Sequence, residues 1–322
     1  MAKQANTVKK RSVIIIGVGK VGRALAHALQ SLGHPIIALV FRNQEKVQKF
    51  SKSGRSSFPT AALLSFEDLS ELPASDLIFI TTPDDVIEET VNKLAALKRP
   101  LVNLQKAPLA GFPGAVLHTS GALSSEILAP LASRRCQVGS IHPLVSVTDR
   151  APDAAVFAGA YFCVEGEKMA VIYAEWIIRD LGAQSIHIRT DHKALYHAAA
   201  VIASPHLVAL FDLAVELLIN SGVKQEDARK MLLPLVESTV KNLRASDPAS
   251  ALTGTFARGD VGTVARHLQA LAEGNPKPPP DALEVYKLLG LRSLQLAKKR
   301  GLDPKKISEI RKLLKGSKPS SR

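Results

Sequence analysis

The chain has 322 residues, 46% of them hydrophobic, and a formal net charge of +13. That length exceeds one typical compact core and points to two domains, and the composition excludes a disordered or fibrous chain. Two cysteines, Cys136 and Cys163, exclude a disulfide framework, and no CxxC pair or HExxH sequence suggests a metal site.

The charge sits at the ends. Residues 1–11 carry four positive charges and residues 291–322 a net nine, so residues 12–290 are formally neutral. This reads as solvated basic ends on a neutral body, and no nucleic-acid partner is expected. The start is polar and basic, without the apolar core of a secretory signal. The apolar runs read as broken by polar residues short of the ~18 needed to span a bilayer. A cytoplasmic protein with no membrane partner is expected.

An apolar strand at 13–18 runs into Gly17-Val18-Gly19-Lys20-Val21-Gly22, and an amphipathic helix follows over 20–32. In this order Gly17 permits the tight turn, Gly19 lets the backbone approach a pyrophosphate, and Gly22 lets helix and strand pack closely. The free N–H groups at the helix start then hold phosphates. A strand at 34–40 ends in Phe41-Arg42-Asn43, without the acidic residue that takes the ribose hydroxyls of NAD. Arg42 suits a 2′-phosphate, with Lys46 a turn on and Arg55 in the polar loop 51–57. NADP(H) is therefore expected over NAD(H); the alternative is Arg42 as a surface residue paired with Glu45.

A helix at 44–50 precedes that loop. A strand at 77–81 leads through Thr81-Thr82-Pro83 to a helix at 84–97, with Asp84 a candidate N-cap. This segment is expected to wall the nicotinamide ribose. Strands at 116–119 and 137–141 flank a helical stretch at 124–132, and 161–164, 168–181 and 185–188 form a further strand-helix-strand unit. The alternation predicts an α/β domain over 12–189, a doubly wound, mainly parallel sheet. Helices are expected at 192–220, 224–243, 261–271, 281–299 and 304–314. They make an all-helical domain over 190–322 with a basic C-terminal tail. The helix at 192–220 is apolar almost all round. It would be buried in its own domain or against a second subunit, so a homodimer through these helices is expected.

Ligands in open α/β sheets sit at the carboxyl ends of the strands. Ser120 and Gly121 there would offer a hydroxyl and an N–H to a carboxylate. His118 and His142 are substrate-site candidates, or hydrogen-bonded structural residues. His197 and Ser204, seven residues apart, share a helix face, and a histidine at a cofactor cleft can exchange a proton during hydride transfer. The plainer alternative is helix packing. Arg258, in the glycine-punctuated segment 252–260, would bind a carboxylate by paired hydrogen bonds, or pair with Asp260 as that residue caps the next helix. No Gly-x-Ser-x-Gly elbow supports a hydrolase.

The segments GVGKVG, TTPDD, HTSGAL, GSIHPL, YHAAAVIAS and LTGTFARGD, in that order across 13–271, resemble the Rossmann-like proteins with a C-terminal domain of unknown function 2520. That family is similar in architecture to the 6-phosphogluconate dehydrogenase-like superfamily, which includes pyrroline-5-carboxylate reductases, ketopantoate reductases and 3-hydroxyacid dehydrogenases. The resemblance implies an NADP-binding domain, a helical dimerisation domain, and a cleft between them for a small substrate. The resemblance carries function only as far as the cofactor, and the leading reading beyond it is an oxidoreductase that transfers hydride between nicotinamide and a small carbonyl, imine or hydroxy compound bearing a carboxylate. Gly17, Val18, Gly19, Lys20, Val21, Gly22, Arg42, Asn43, Thr81, Thr82 and Pro83 would hold the cofactor. His197 would exchange the proton, with Ser120, His142, Ser204 and Arg258 completing the substrate site. The family often carries an Asn where Ser204-Pro205-His206 stands, catalytic in related hydroxyacid dehydrogenases. Their pattern places a lysine four residues earlier, whereas here Lys193 lies one turn before His197. The rival reading is a non-catalytic NADP(H)-binding sensor or scaffold dimer.

Overall fold

The computed structural model describes residues 10–103, 114–148 and 154–316. They fall into two compact units, within 1–203 and within 204–322.

The first unit runs β1 (Val13–Ile16), α1 (Lys20–Ser31), β2 (Ile36–Phe41), α2 (Gln44–Ser53), β3 (Ala62–Ser65), β4 (Leu77–Ile80), α3 (Asp84–Ala96), β5 (Ala115–His118), α4 (Ala129–Ala132), β6 (Gln137–Leu144), β7 (Tyr161–Gly166), α5 (Lys168–Asp180), β8 (Gln184–His187) and α6 (Lys193–Ala203). The eight strands form one sheet in the order β3-β2-β1-β4-β5-β6-β7-β8. Neighbours are parallel except β6 and β7, which are antiparallel. This is the expected doubly wound, mainly parallel sheet.

All four residues of β1 are buried, because helices cover both faces of the sheet. Val13 and Ile15 join a core with Leu25 and Leu29 of α1 and Tyr173 and Ile177 of α5. Ile14 and Ile16 point the other way, into a second core with Ile87 and Val91 of α3. The strand period of two thus divides one apolar run between two layers.

Several expectations change. β3 falls where no strand is read in the sequence, and residues 51–53 extend α2 instead of opening a loop. The apolar stretch at 192–220 is two helices, α6 and α7 (Pro205–Asn220), with Ser204 between them at φ −125° and ψ −76°. Proline has no N–H to donate and disfavours helical dihedrals at the residue before it, so the break falls there. The N-terminal basic residues are not all solvated. Lys10 pairs with Asp180 at 2.8 Å, and the guanidinium of buried Arg11 lies 5.6 and 5.4 Å from the Tyr173 and Trp176 rings.

The second unit comprises α7, α8 (Gln225–Ala245), α9 (Pro248–Ala251), α10 (Gly254–Arg258), α11 (Val261–Glu273), α12 (Ala282–Lys299) and α13 (Pro304–Leu314). Val264, Leu294, Ile310 and Leu314 form its core. The basic residues at 291–316 lie largely on the end of α12 and on α13, helices expected at 281–299 and 304–314. Ile307, Ile310 and Leu314 face inward, and the lysines and arginines take the outer side.

No residue of α7 is buried, and Val208, Met231, Leu235, Leu243 and Leu288 stand exposed on α7, α8 and α12. The stretch Thr190–Asn220 does reach the length and hydropathy of a bilayer span, contrary to the sequence expectation, although Ser204-Pro205 interrupts its helix.

Candidate active site

The strand order reverses between β1 and β4, the switch point at which open α/β sheets bind ligands. The glycine loop follows β1 there. Gly17 adopts φ +101°, open to glycine, and a Cβ on it would lie 2.7 Å from the Thr82 nitrogen. A Cβ on Gly22 would collide with the Gly17 carbonyl oxygen and Thr81 Oγ1. Gly19 is the opposite case, since a Cβ there would meet nothing within 4 Å. It is the N-cap of α1, where no side chain caps the helix and no acidic residue occupies the first turn. Val18, Lys20 and Val21 lie in the same turn. Below it, Thr81 Oγ1 donates to the Gly17 carbonyl at 2.6 Å, and the buried Thr82 Oγ1 has no hydrogen-bond partner among the described residues. Pro83 precedes α3 as its N-cap residue. Tight packing at Gly17 and Gly22, open space at Gly19, an uncapped helix start and an orphaned hydroxyl fit a dinucleotide pyrophosphate.

Arg42 follows β2, exposed, with no ion pair to Glu45 or any other residue among the described ones. Asn43 is engaged as the α2 cap, its Oδ1 accepting from the Lys46 N–H at 3.1 Å. Arg55 donates to the Ala61 and Pro59 carbonyls at 2.7 and 3.1 Å, so it braces its own loop and is not a free phosphate ligand. Asp84 is not the α3 cap. It accepts from Ser120 Oγ at 2.8 Å.

The second pole lies at the ends of β5 and β6. β6 outruns β5, whose last pair is His118 with Ser140. His142 and Pro143 therefore pair only with Cys163 and Phe162 of β7, and a strand proline without an N–H is tolerated at such an unpaired edge. His118 is fully buried. Its Nδ1 accepts from the Ser120 N–H, and its Nε2 donates to the Ser124 carbonyl, both at 3.2 Å. Burial first, then the charge of Lys193, holds its pKa down at about 3. His118 is thus a neutral structural residue instead of a substrate ligand. The Ser120 hydroxyl is also occupied. It donates to Asp84 and accepts from the Ala122 and Leu123 N–H groups at 3.2 and 2.9 Å, which shapes the loop and leaves no donor for a carboxylate.

His142 and His197 converge on Gly121. Their rings are 5.7 Å apart at 85°. A Cβ on Gly121 would lie 2.5 Å from His197 Cδ2 and 2.8 Å from His142 Nε2, so only glycine lets both rings approach. Burial, then Lys193 and His197, lowers the His142 pKa to about 4. Burial, then Cys163, raises the Tyr196 phenol, which keeps its proton, and its oxygen lies 2.8 Å from His142 Nδ1. In the tautomer that takes the Tyr196 proton on Nδ1, the neutral ring carries its own proton on Nε2, facing Gly121.

Lys193 lies beneath this pair and is 1% exposed. Its Nζ donates to the Ser120 carbonyl at 2.9 Å and to Ser140 Oγ, and stands 3.4 Å from Glu165. Glu165, 4% exposed, accepts from the Ser125 N–H and hydroxyl at 2.8 and 2.7 Å and from Thr190 Oγ1 at 3.3 Å. Sequence reasoning gave Glu165 no part, and Lys193 and Tyr196 none of their own. The available signals were a carboxylate inside the apolar strand Tyr161–Gly166 and a lysine three and four residues before Tyr196 and His197.

Ser204 and Arg258 belong to the second unit. Ser204 separates α6 from α7, and Arg258 ends α10, exposed. Asp260 caps α11 as expected, accepting from the Thr263 N–H and hydroxyl at 3.0 and 2.8 Å, but makes no ion pair with Arg258 among the described residues. No cluster of histidine, cysteine or acidic residues suited to a metal occurs among the described residues.

A Rossmann-like domain matches residues 3–143, and a domain of unknown function, DUF2520, matches residues 160–293. No curated protein matches the chain by sequence. Among solved structures, a candidate NADP oxidoreductase from Bacteroides fragilis is 20% identical, with TM-score 0.67, covering 89% of this chain and 98% of that one. A Thermotoga maritima protein is 20% identical, with TM-score 0.65 and coverages of 90% and 99%. Pyrroline carboxylate reductase from Plasmodium falciparum, solved with NADP bound, is 14% identical, with TM-score 0.54 and coverages of 93% and 98%.

Proposed function

The chain joins a Rossmann-like domain to a DUF2520 domain, and from that pairing we propose an NADP(H)-dependent oxidoreductase acting on a small carbonyl, imine or hydroxy compound that bears a carboxylate. One observation carries this reading: the open space at Gly19, before an uncapped helix start, between glycines packed too tightly for any side chain. The NADP bound by the Plasmodium falciparum reductase and named for the Bacteroides fragilis protein supports the cofactor class.

The first turn of α1 would hold the pyrophosphate through its N–H groups, with Gly17, Val18, Lys20 and Val21 shaping the cradle. Arg42, free of any carboxylate among the described residues, would take the 2′-phosphate. Thr82 Oγ1 would find its missing partner on the ligand, beside Thr81 and Pro83. NADPH supplies the hydride when bound. His197, half-buried beside Gly121, exchanges the substrate proton, and His142 holds the substrate through its Nε2–H. Ser120 keeps the loop in place through Asp84. The exposed apolar residues of α7, α8 and α12 are covered by a second copy of the chain, which makes the protein a homodimer.

Turnover tests the reading. Purified protein incubated with NADPH and a panel of small 2-oxo acids and cyclic imine carboxylates is expected to oxidise the cofactor with at least one member. Cofactor binding without any turnover would favour the non-catalytic sensor.

A further inference from the structure

Lys193 is a buried cation whose hydrogen bonds all end inside the protein, two on the substrate loop and β6 and an ion pair on β7. We propose that Lys193 and Glu165 are positioning residues that present the Gly121 N–H and the His142 Nε2–H as a paired donor for one carboxylate oxygen of the substrate. The inference rests on reading the Gly121 pole as the substrate site.

The first step is peptide geometry. The Ser120 carbonyl accepts from Lys193 Nζ, and the Ser120–Gly121 peptide is trans. A trans peptide points its N–H opposite to its carbonyl, so the Gly121 N–H faces away from Lys193. The Ala122 and Leu123 N–H groups are both spent on Ser120 Oγ. The Gly121 N–H has no acceptor among the described residues, although Gly121 is buried. A buried N–H without a partner is uncommon and calls for a ligand.

The second donor is His142 Nε2, also unpartnered, 2.8 Å from the place of a Cβ on Gly121. Covalent geometry sets that place about 2.5 Å from the glycine nitrogen, so the two donors lie within about 5 Å of each other. One oxygen at hydrogen-bond distance bridges such a gap. Both donors are neutral. The charge behind them is Lys193, which polarises the Ser120–Gly121 peptide and strengthens its N–H, while Glu165 makes the burial of that charge tolerable. Ser125 and Thr190 in turn fix Glu165, so the device ties β5, β6, β7 and α6 to one donor pair.

The test follows the Gly121 amide and the His142 ring by nitrogen-15 NMR in the full chain. The probes are formate, the smallest carboxylate, and formamide, its uncharged counterpart. Formate is expected to shift both signals saturably, and formamide to bind at least about tenfold more weakly. The charge-balanced variant Lys193→Met/Glu165→Gln should weaken formate about tenfold to a hundredfold at unchanged NADPH affinity. Should that variant not fold, Ser140→Ala removes a single Lys193 acceptor and should weaken formate about twofold to tenfold. No saturable shift in the wild type, equal binding of the two probes, or variants that fold and bind formate as the wild type does would each overturn the proposal. NADPH affinity, measured calorimetrically on the same samples, reports separately on the cofactor reading.

Discussion

Gly19 and Gly22 stand three residues apart in one turn, and the structure gives their alanine variants opposite fates. In Gly22→Ala the new methyl group strikes the Gly17 carbonyl and Thr81 Oγ1, and reaches 3.1 Å from Ile15 Cγ2. One of these atoms is backbone, and Thr81 is fixed by its hydrogen bonds to the Gly17 and Ile16 carbonyls, so neither can rotate away. Overpacking of this kind costs about 1–3 kcal/mol, a fall in Tm of roughly 2–12 °C for a unit of this size. In Gly19→Ala the methyl group meets nothing, and the residue's φ of −83° suits any side chain. Stability should change by less than about 1 kcal/mol, the scale of an N-cap substitution. The methyl group does fill the space before the helix N–H groups. Loss of one or two charge-assisted hydrogen bonds then weakens NADPH about tenfold or more. Thermal unfolding and calorimetric titration on both variants separate the two effects. A Gly19→Ala protein that binds NADPH like the wild type, or melts like Gly22→Ala, would refute the reasoning.

His197→Ala should lower turnover by roughly 10²–10⁴-fold with NADPH affinity intact, and a loss under tenfold would remove His197 from the proton-exchange role. His118 and His142 have folded-state pKa values near 3 and 4, below the ordinary 6.5, so the unfolded chain takes up their protons first as pH falls. Their contribution to stability is whole above about pH 6.5 and declines from there to about pH 4 for His142 and about pH 3 for His118. Urea midpoints should fall across that window, with a shallower slope in His142→Asn, and an unaltered slope would contradict the assignment. Val208→Asp with Leu235→Asp should yield a monomer by sedimentation at unchanged helix content, and a monomeric wild type would contradict the dimer.

The sheet was largely legible because its strands are buried on both faces and read as continuous apolar runs, β1 most plainly. β3 was not. Ala62-Leu63-Leu64-Ser65 has no β-branched residue, and pairing with β2 overrides its weak propensity. The break at Ser204 was signalled by Pro205, but the unbroken apolar composition outweighed that sign. The tight turn at Gly17 and the close packing at Gly22 followed from order alone, since each requires the absence of a Cβ. The buried half of the pole around Gly121 was hidden. Lys193, Glu165 and Ser140 come from α6, β7 and β6, and only antiparallel pairing of β7 with β6 brings them together. His118 and Ser120 were placed at the end of a strand and in the loop after it, as the structure has them, yet spacing cannot show that their polar atoms are already taken.

Side-by-side calorimetric titration of NADPH and NADH, with wild type and Arg42→Ala, decides whether the glycine loop and Arg42 bind NADP(H). The predicted result is tight NADPH binding, weaker NADH binding, and a tenfold to hundredfold loss of NADPH affinity in the variant, roughly the value of one charge-assisted contact to the 2′-phosphate. Binding of neither nucleotide by the wild type would mean that the glycine loop is a turn without a ligand, and the oxidoreductase assignment would fall with it.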